Sequence, residues 1–466
     1  MSPDTAPSAA RVDPKLLRIA FILVLGTFMA TVDATIVSVG IDTLAGEFGA
    51  SVAEIQWVST AYLLAVVAAV PASGWLADRF GGRRTWLAAV GVFLLGSALC
   101  ALAWSATSLI VFRVVQGLGG GLLPATGQAL LARIAGPDRT GRVISIVAVV
   151  PLLSPVLGPL VGGAILGTAS WPWLFLVNLP IGLVAMLLAR RHVPAVPPSE
   201  RRTAFDLRGA ALLSPGLAVL VFGLTEVSHG RTLPAAAGVS AGLAMLAGFA
   251  VHGLRTRRTP LVDPRLFAQP PFGAAALALL VLGASVFGTM FLLPLYFQTG
   301  RGLSAGEAGL LLAPQGLGAA AGSVLVNRTI DKVAPRALVV TGIVLILVGT
   351  VPFTQLGHRP TDALIASALV VRGVGMAMVS APVMNIVYSR IEPAHLPRAA
   401  GALNLLNTVG GSIGTAALAV VLQNRLTARG PDIAQAFADT FWWVLGLCLL
   451  AAAGATRLPR THVGKS

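Results

Sequence analysis

The apolar residues of this 466-residue chain fall in long runs, not at the three-to-four-residue spacing of a helix with one wet face. A run of roughly 20 mostly apolar residues crosses the hydrocarbon of a bilayer as a helix, and the lipid leaves no other way for a single segment to satisfy its own backbone. Fourteen such runs are read here: 16–40, 54–76, 84–104, 107–133, 141–167, 173–190, 207–226, 234–254, 272–298, 304–326, 336–356, 362–389, 397–423 and 437–457. The sixth is short and begins near Pro172. Only 11% of the residues are charged, against about 25% in a soluble domain. A water-soluble enzyme is excluded, and the predicted class is an all-α integral membrane protein.

The formal charge of +15 invites a nucleic-acid reading, but the placement of the charges opposes it. The N-terminus, alternate loops and the C-terminus hold 26 of the 33 Lys and Arg, while the opposite loops hold Arg231, Arg301, Arg359, Arg425 and Arg429. Basic residues in short loops stay on the cytoplasmic side, so both termini are predicted to be cytoplasmic, with the bilayer as partner and no nucleic acid. The polar N-terminal stretch precedes a first run without a small-residue cleavage site, so that run is expected to remain as a helix.

Two basic connections divide the runs into six, two and six. The expected organisation is an N-terminal tail (1–15), a six-helix bundle (16–190), hinges with two extra helices (191–271), a second six-helix bundle (272–457) and a C-terminal tail (458–466). The loop Asp78-Arg79-Phe80-Gly81-Gly82-Arg83 has a worn copy in Asp331-Lys332-Val333-Ala334-Pro335-Arg336. Such internal repeats mark secondary transporters, whose halves rock about a site near the bilayer midplane.

Other power sources lack residues. The three lysines are Lys15, Lys332 and Lys465, and Gly464-Lys465-Ser466 ends the chain with Pro459 where a phosphate-binding loop needs its first Gly. The six histidines avoid the middles of the runs, and Cys100 and Cys448 lie inside runs as small apolar residues. No cofactor or metal is expected.

Away from the ends of the runs three charges remain: Asp33, Arg113 and Arg372. An ionisable residue there costs about 2.5–3.5 kcal/mol on insertion scales and usually faces a cavity or a partner. Asp33 lies in the outer half of the first run, and Arg113 about six residues into the fourth, which enters from outside. At 1.5 Å per residue the two reach similar depth. If their helices adjoin, they form a proton switch, with Arg113 holding Asp33 ionised; a static ion pair or a bracing arginine fits the same residues. For Arg372, beside Gly373 and Gly375, bracing and transport remain equally open.

Gly74-Trp75-Leu76-Ala77-Asp78-Arg79-Phe80-Gly81-Gly82-Arg83-Arg84 closes the second run. It resembles the signature loop of the major facilitator superfamily almost position for position. Further stretches are similar to its drug:proton antiporters with fourteen spans: Val32-Asp33-Ala34-Thr35-Ile36-Val37-Ser38-Val39, Ile55-Gln56-Trp57-Val58 with Tyr62-Leu63-Leu64, and Arg113-Val114-Val115-Gln116-Gly117. Ser38 stands where that family usually has Asn, and Asp42 where Pro is common. The fifth run carries Ser154-Pro155-Val156-Leu157-Gly158-Pro159-Leu160-Val161-Gly162-Gly163. Its prolines rule out a straight helix, and it is similar to a motif associated with antiport in exporting members.

The resemblance implies two six-helix bundles with two linker helices. It implies proton coupling at Asp33 and Arg113, and an inner gate built on Gly74, Asp78, Arg79, Gly81, Arg83 and Arg84. It also implies a bending, leak-tight surface at Pro155, Gly158, Pro159, Gly162 and Gly163. Trp57, Tyr62, Gln116, Gln315, Asn385, Asn404 and Asn407 lie on helices that by this analogy line the central cavity, and aromatic and amide groups suit an amphipathic ligand. Interhelical hydrogen bonding is an equal account of most of them. The reading is a monomeric inner-membrane antiporter, not an enzyme, that exports hydrophobic or amphipathic drugs in exchange for protons. A proton symporter importing a metabolite is the nearest alternative. A polytopic sensor or membrane enzyme is remote, because no loop supplies a catalytic domain.

Overall fold

The computed structural model describes residues 13–136, 139, 143, 150–196, 198, 205–228, 230–256, 260, 262, 264–265, 270–330, 333–358, 360–388 and 396–455. Among these there are helices and turns and no strand. The helices of the first half are α1 (Pro14–Ile36), α2 (Ile41–Phe48), α3 (Val52–Ala69), α4 (Ala72–Phe80), α5 (Gly82–Ala101), α6 (Ala106–Ala135), α7 (Val150–Thr168), α8 (Trp173–Leu176) and α9 (Asn178–His192). Two more, α10 (Leu207–Ser228) and α11 (Thr232–Arg255), form a hairpin. The second half holds α12 (Pro270–Leu295), α13 (Ala305–Thr329), α14 (Pro335–Thr350), α15 (Asp362–Tyr388), α16 (Leu396–Arg429) and α17 (Ile433–Ala455).

Twelve helical stretches are long and apolar enough to cross a membrane, with α8 and α9 together forming one (Trp173–His192) and α14 running on to His358 in another; the pair Glu54–Ala69 and Ala72–Phe80, bent by 55°, adds a thirteenth when it is counted as one span. The count among the described residues is therefore twelve, or thirteen with the bent pair, not the predicted fourteen. The difference lies at the predicted run 141–167, which falls partly outside the described residues; from Val150 onward it is the helix α7. The bend in the second span has a local cause: Pro71 has no N–H to continue the ladder beyond Ala69.

Helix ends follow polar residues in the sequence. Asp13 caps α1 ahead of Pro14, and the Ser51 hydroxyl accepts from the Glu54 N–H at the start of α3. Ser304 and Glu307 form a reciprocal capping box on α13. Gly81 joins α4 to α5 at φ +87°, and a Cβ there would stand 2.9 Å from the Val196 carbonyl oxygen. Gly81→Ala is expected to cost about 1–3 kcal/mol, the usual range for a side chain forced into such a backbone region. A lowered midpoint in a thermal melt of the purified protein checks this.

In the first half α1 packs against α6, α7 and α9, and α6 packs against α3 and α5. In the second, α12 packs on α16 and α17, and α15 on α13 and α14. The halves meet where α7 lies along α13 and where α16 touches α4 and α6. The extra helix α10 packs against α3 of one half and α16 of the other, so the hairpin lies over the seam.

Candidate functional site

Asp33 and Arg113 form an ion pair in the interior of the first half, and neither has any exposed surface. Asp33 Oδ2 accepts from Arg113 Nη1. Asp33 Oδ1 accepts from Gln116 Nε2 at 2.9 Å and from Asn178 Nδ2 at 2.7 Å. Arg113 also donates from Nη1 to Gln116 Oε1 at 2.7 Å and from Nε to the Val58 carbonyl at 3.1 Å. The Ser97 hydroxyl accepts from Gln116 Nε2 at 2.7 Å and from Asn178 Nδ2 at 3.3 Å. The guanidinium carbon stands 4.0 Å from the centre of the Tyr62 ring, whose hydroxyl donates to the Ala30 carbonyl at 2.9 Å.

Helical spacing explains this convergence. Arg113 and Gln116 are three residues apart on α6 and share a face, so one helix presents both the cation and the amide to α1. Ser97 comes from α5 and Asn178 from the start of α9. Each carboxylate oxygen is thereby satisfied, which a buried charge requires. Asn178 and Ser97 were not among the residues singled out from the sequence. Asn178 interrupts the apolar run between Val177 and Leu179, and an amide inside a span was the available signal.

Thr35 and Ile36, just past Asp33 on α1, meet α7. A Cβ on Gly158 would lie 2.0 Å from Thr35 Oγ1, and one on Gly162 would lie 3.0 Å from the Ile36 carbonyl oxygen. Gly163 has nothing within 4 Å. The side chains of Pro155 and Pro159 lie outside the described residues.

The basic end of the first half carries a second polar cluster. Asp78 is almost buried, and its Oδ1 accepts from Arg133 Nη2 at 3.3 Å. Arg133, at the end of α6, was not predicted. Arg83 Nη1 donates to the Val193 carbonyl at 3.0 Å, while Arg79 and Arg84 are exposed and Gly74 is buried. Nearby, Asn404 Nδ2 of α16 donates to Gln128 Oε1 of α6 at 2.9 Å, a hydrogen bond between the halves.

The remaining cavity candidates are dispersed. Trp57 is half-buried with its ring 5.7 Å from that of Phe222 on α10. Tyr62 and Gln116 belong to the ion-pair cluster. Gln315 is buried, and its Oε1 has no hydrogen-bond partner. Asn407 is half-buried beside Gly283. The side chain of Asn385 lies outside the described residues. Among the described residues no group of three or more His, Cys, Asp or Glu is placed to hold a metal ion.

The model of the Major Facilitator Superfamily matches residues 23–415. The chain is 39% identical to a "Multidrug resistance protein B homolog" of Mycobacterium tuberculosis, over 88% of this chain and 77% of the relative. It is 30% identical to the "Tetracenomycin C resistance and export protein" of Streptomyces glaucescens, over 90% and 77%. Among solved structures it resembles the proton:xylose symporter XylE with a TM-score of 0.65 and 16% identity, covering 94% of each chain. The human organic anion transporter MFSD10 matches with a TM-score of 0.66 and 17% identity, covering 95% of this chain and all of the other. At those identities the two structures bear on the fold alone. On its family match and its relatives, the chain belongs to the major facilitator superfamily, a family of multi-pass membrane transporters rather than enzymes.

Proposed function

We propose that this chain is a proton-coupled antiporter that exports hydrophobic or amphipathic compounds across the cytoplasmic membrane by alternating access, with both termini in the cytoplasm. One observation carries the coupling scheme: a carboxylate and a guanidinium with no exposed surface, tied together across α1 and α6, with both carboxylate oxygens hydrogen-bonded and Arg113 Nη2 left without a partner. Protonating Asp33 removes its charge and weakens its hold on Arg113. The guanidinium is then left as an uncompensated buried cation, which is unstable in that arrangement. A change of helix packing that re-solvates the pair relieves it.

The same helix carries the consequence to the other end. Arg113 and Arg133 are both on α6, twenty residues apart, a span of about 30 Å at 1.5 Å per residue. At that far end α6 holds Asp78 through Arg133 and meets the second half through Gln128 and Asn404. Movement of α6 on protonation of Asp33 is thus transmitted to the contact that joins the halves. The concentration of Lys and Arg at this end supports its assignment to the cytoplasm.

The cargo class rests on the relatives. A fatty acid resistance protein of Neisseria gonorrhoeae, 31% identical over 86% of this chain, and the tetracenomycin C exporter are named for compounds with large apolar bodies. The test is transport into everted membrane vesicles with an imposed pH gradient, read across a library of lipophilic toxins. Antiport is expected to accumulate compound when the lumen is acid and to stop when the gradient is collapsed. Accumulation only when the outside is acid would identify a symporter and overturn the proposal.

A further inference from the structure

The second half contains a buried cation that the coupling scheme leaves unused. Arg372 lies about ten residues into α15 and has no exposed surface. Its Nη1 donates to Thr350 Oγ1, and its Nη2 to Thr289 Oγ1 at 2.6 Å, the Ser285 carbonyl at 3.1 Å and Ser285 Oγ at 3.4 Å. Every one of these acceptors is a neutral oxygen. Nε has no hydrogen-bond partner, and among the described residues no carboxylate forms an ion pair with this guanidinium.

The internal repeat shows how unlike its counterpart this site is. Extending the match of Asp78 with Asp331 along the next helix places Gly96-Ser97 opposite Gly349-Thr350. On the following helix, Val114-Val115-Gln116-Gly117-Leu118-Gly119 stands opposite Val370-Val371-Arg372-Gly373-Val374-Gly375. Ser97 bonds Gln116, and Thr350 bonds Arg372, so the correspondence holds in contacts as well as in letters. Arg372 therefore occupies the position of a neutral amide. Where α1 brings a carboxylate to this shell, α12 brings the Ser285 carbonyl and the hydroxyls of Ser285 and Thr289. The buried cluster of the first half closes its charges to zero; among the described residues its counterpart in the second half keeps a net positive one.

A buried charge without a counter-charge is costly, and in a low-dielectric surround its field is weakly screened. That field favours an anion brought close to this part of the second half and opposes a cation. We propose that Arg372 selects the sign of the cargo: the exported compounds carry an acidic group, such as a carboxylate or an ionised phenol, and this guanidinium supplies its counter-charge, with Nε as the donor still to be paired. The assignment rests on the efflux reading above and names its substrate class.

Three probes with one aromatic body separate charge from hydrophobicity: 2-naphthoate, 2-naphthalenemethanol and naphthylmethyl-trimethylammonium. Binding of each to the purified full-length chain is measured by calorimetry. The wild type is expected to bind naphthoate about tenfold or more tighter than the ammonium, the size of one charge-assisted hydrogen bond. Arg372→Gln, which installs the residue of the matching position, is expected to erase that ratio while leaving the alcohol unchanged. Arg372→Lys is expected to keep most of it.

Equal binding of the two ions by the wild type, absence of naphthoate binding, or an unchanged ratio in Arg372→Gln overturns the assignment. Loss of all three probes alike in Arg372→Gln, with none recovered in Arg372→Lys, does so too, since a mere brace behaves that way. The wild-type ratio is read without any variant, so a misfolded substitution does not shelter the idea. Proton-gradient transport of naphthoate in proteoliposomes is scored separately. Its failure beside an intact binding ratio sinks the efflux reading and leaves the charge preference standing.

Discussion

Asp33→Asn is expected to abolish pH-gradient-driven transport, reducing it to the rate of protein-free vesicles. The carboxylate is the group whose protonation changes charge at the α1–α6 contact, and an amide has no such change to offer. The substitution also disturbs its surroundings in a specific way. Oδ1 receives two amide donors and Oδ2 a guanidinium donor, so an asparagine NH2 faces a donor in either orientation. Arg113 is left buried without its counter-charge, and breaking a buried pair in this way costs about 3–5 kcal/mol.

A loss of transport in Asp33→Asn alone therefore mixes chemistry with destabilisation. The double variant Asp33→Asn with Arg113→Gln separates them, because it removes both charges together. It is expected to recover most of the thermal stability lost by the single variant and none of the transport. The measurement pairs a melting curve in detergent with proton-driven uptake in proteoliposomes. Undiminished pH-dependent transport in a well-folded double variant would place the proton carrier elsewhere.

The ion pair was legible because charges inside apolar runs are few and their depths follow from a fixed rise per residue. What surrounds it was less so. Ser97 and Asn178 act through tertiary convergence of α5 and α9 on α1, and a hydroxyl or amide in a run reads equally well as solvated or as structural. Arg133 is the last residue of the run 107–133, where an arginine reads as a solvated run end, although its side chain pairs with Asp78. The bend at Pro71 was written in the sequence as an interruption of the backbone ladder, yet the composition around it stays apolar and so read as one straight span. Fold class and the six-two-six order depend on hydrophobic length and loop charge, which are sums over many residues. The sites depend on which faces meet, and one rotation of a helix would have exchanged their partners.

The glycines of the fifth span allow the second large effect to be tied to contact rather than to motif membership. Gly158, Gly162 and Gly163 belong to one sequence pattern but have three different surroundings. A side chain on Gly158 collides with Thr35, two residues from Asp33, with its Cβ 2.0 Å from Oγ1 and 2.8 Å from the Thr35 Cβ. Overpacking of a tight contact usually costs about 1–3 kcal/mol, and a clash this close falls at the upper end. Gly158→Leu is expected to push α7 off α1, to lower the melting midpoint by several degrees and to remove transport, since the displaced segment of α1 carries the proton site. Gly162→Leu meets Ile36 at 3.0 Å and is expected to do the same to a smaller degree. Gly163→Leu enters open space and is expected to insert, melt and transport as the wild type does. A pattern acting through backbone flexibility would instead make the three substitutions alike, because each replaces a glycine by the same residue in the same helix. The ordering Gly158, then Gly162, then Gly163 in lost transport is the signature of a packing surface that holds α1 in register with α6.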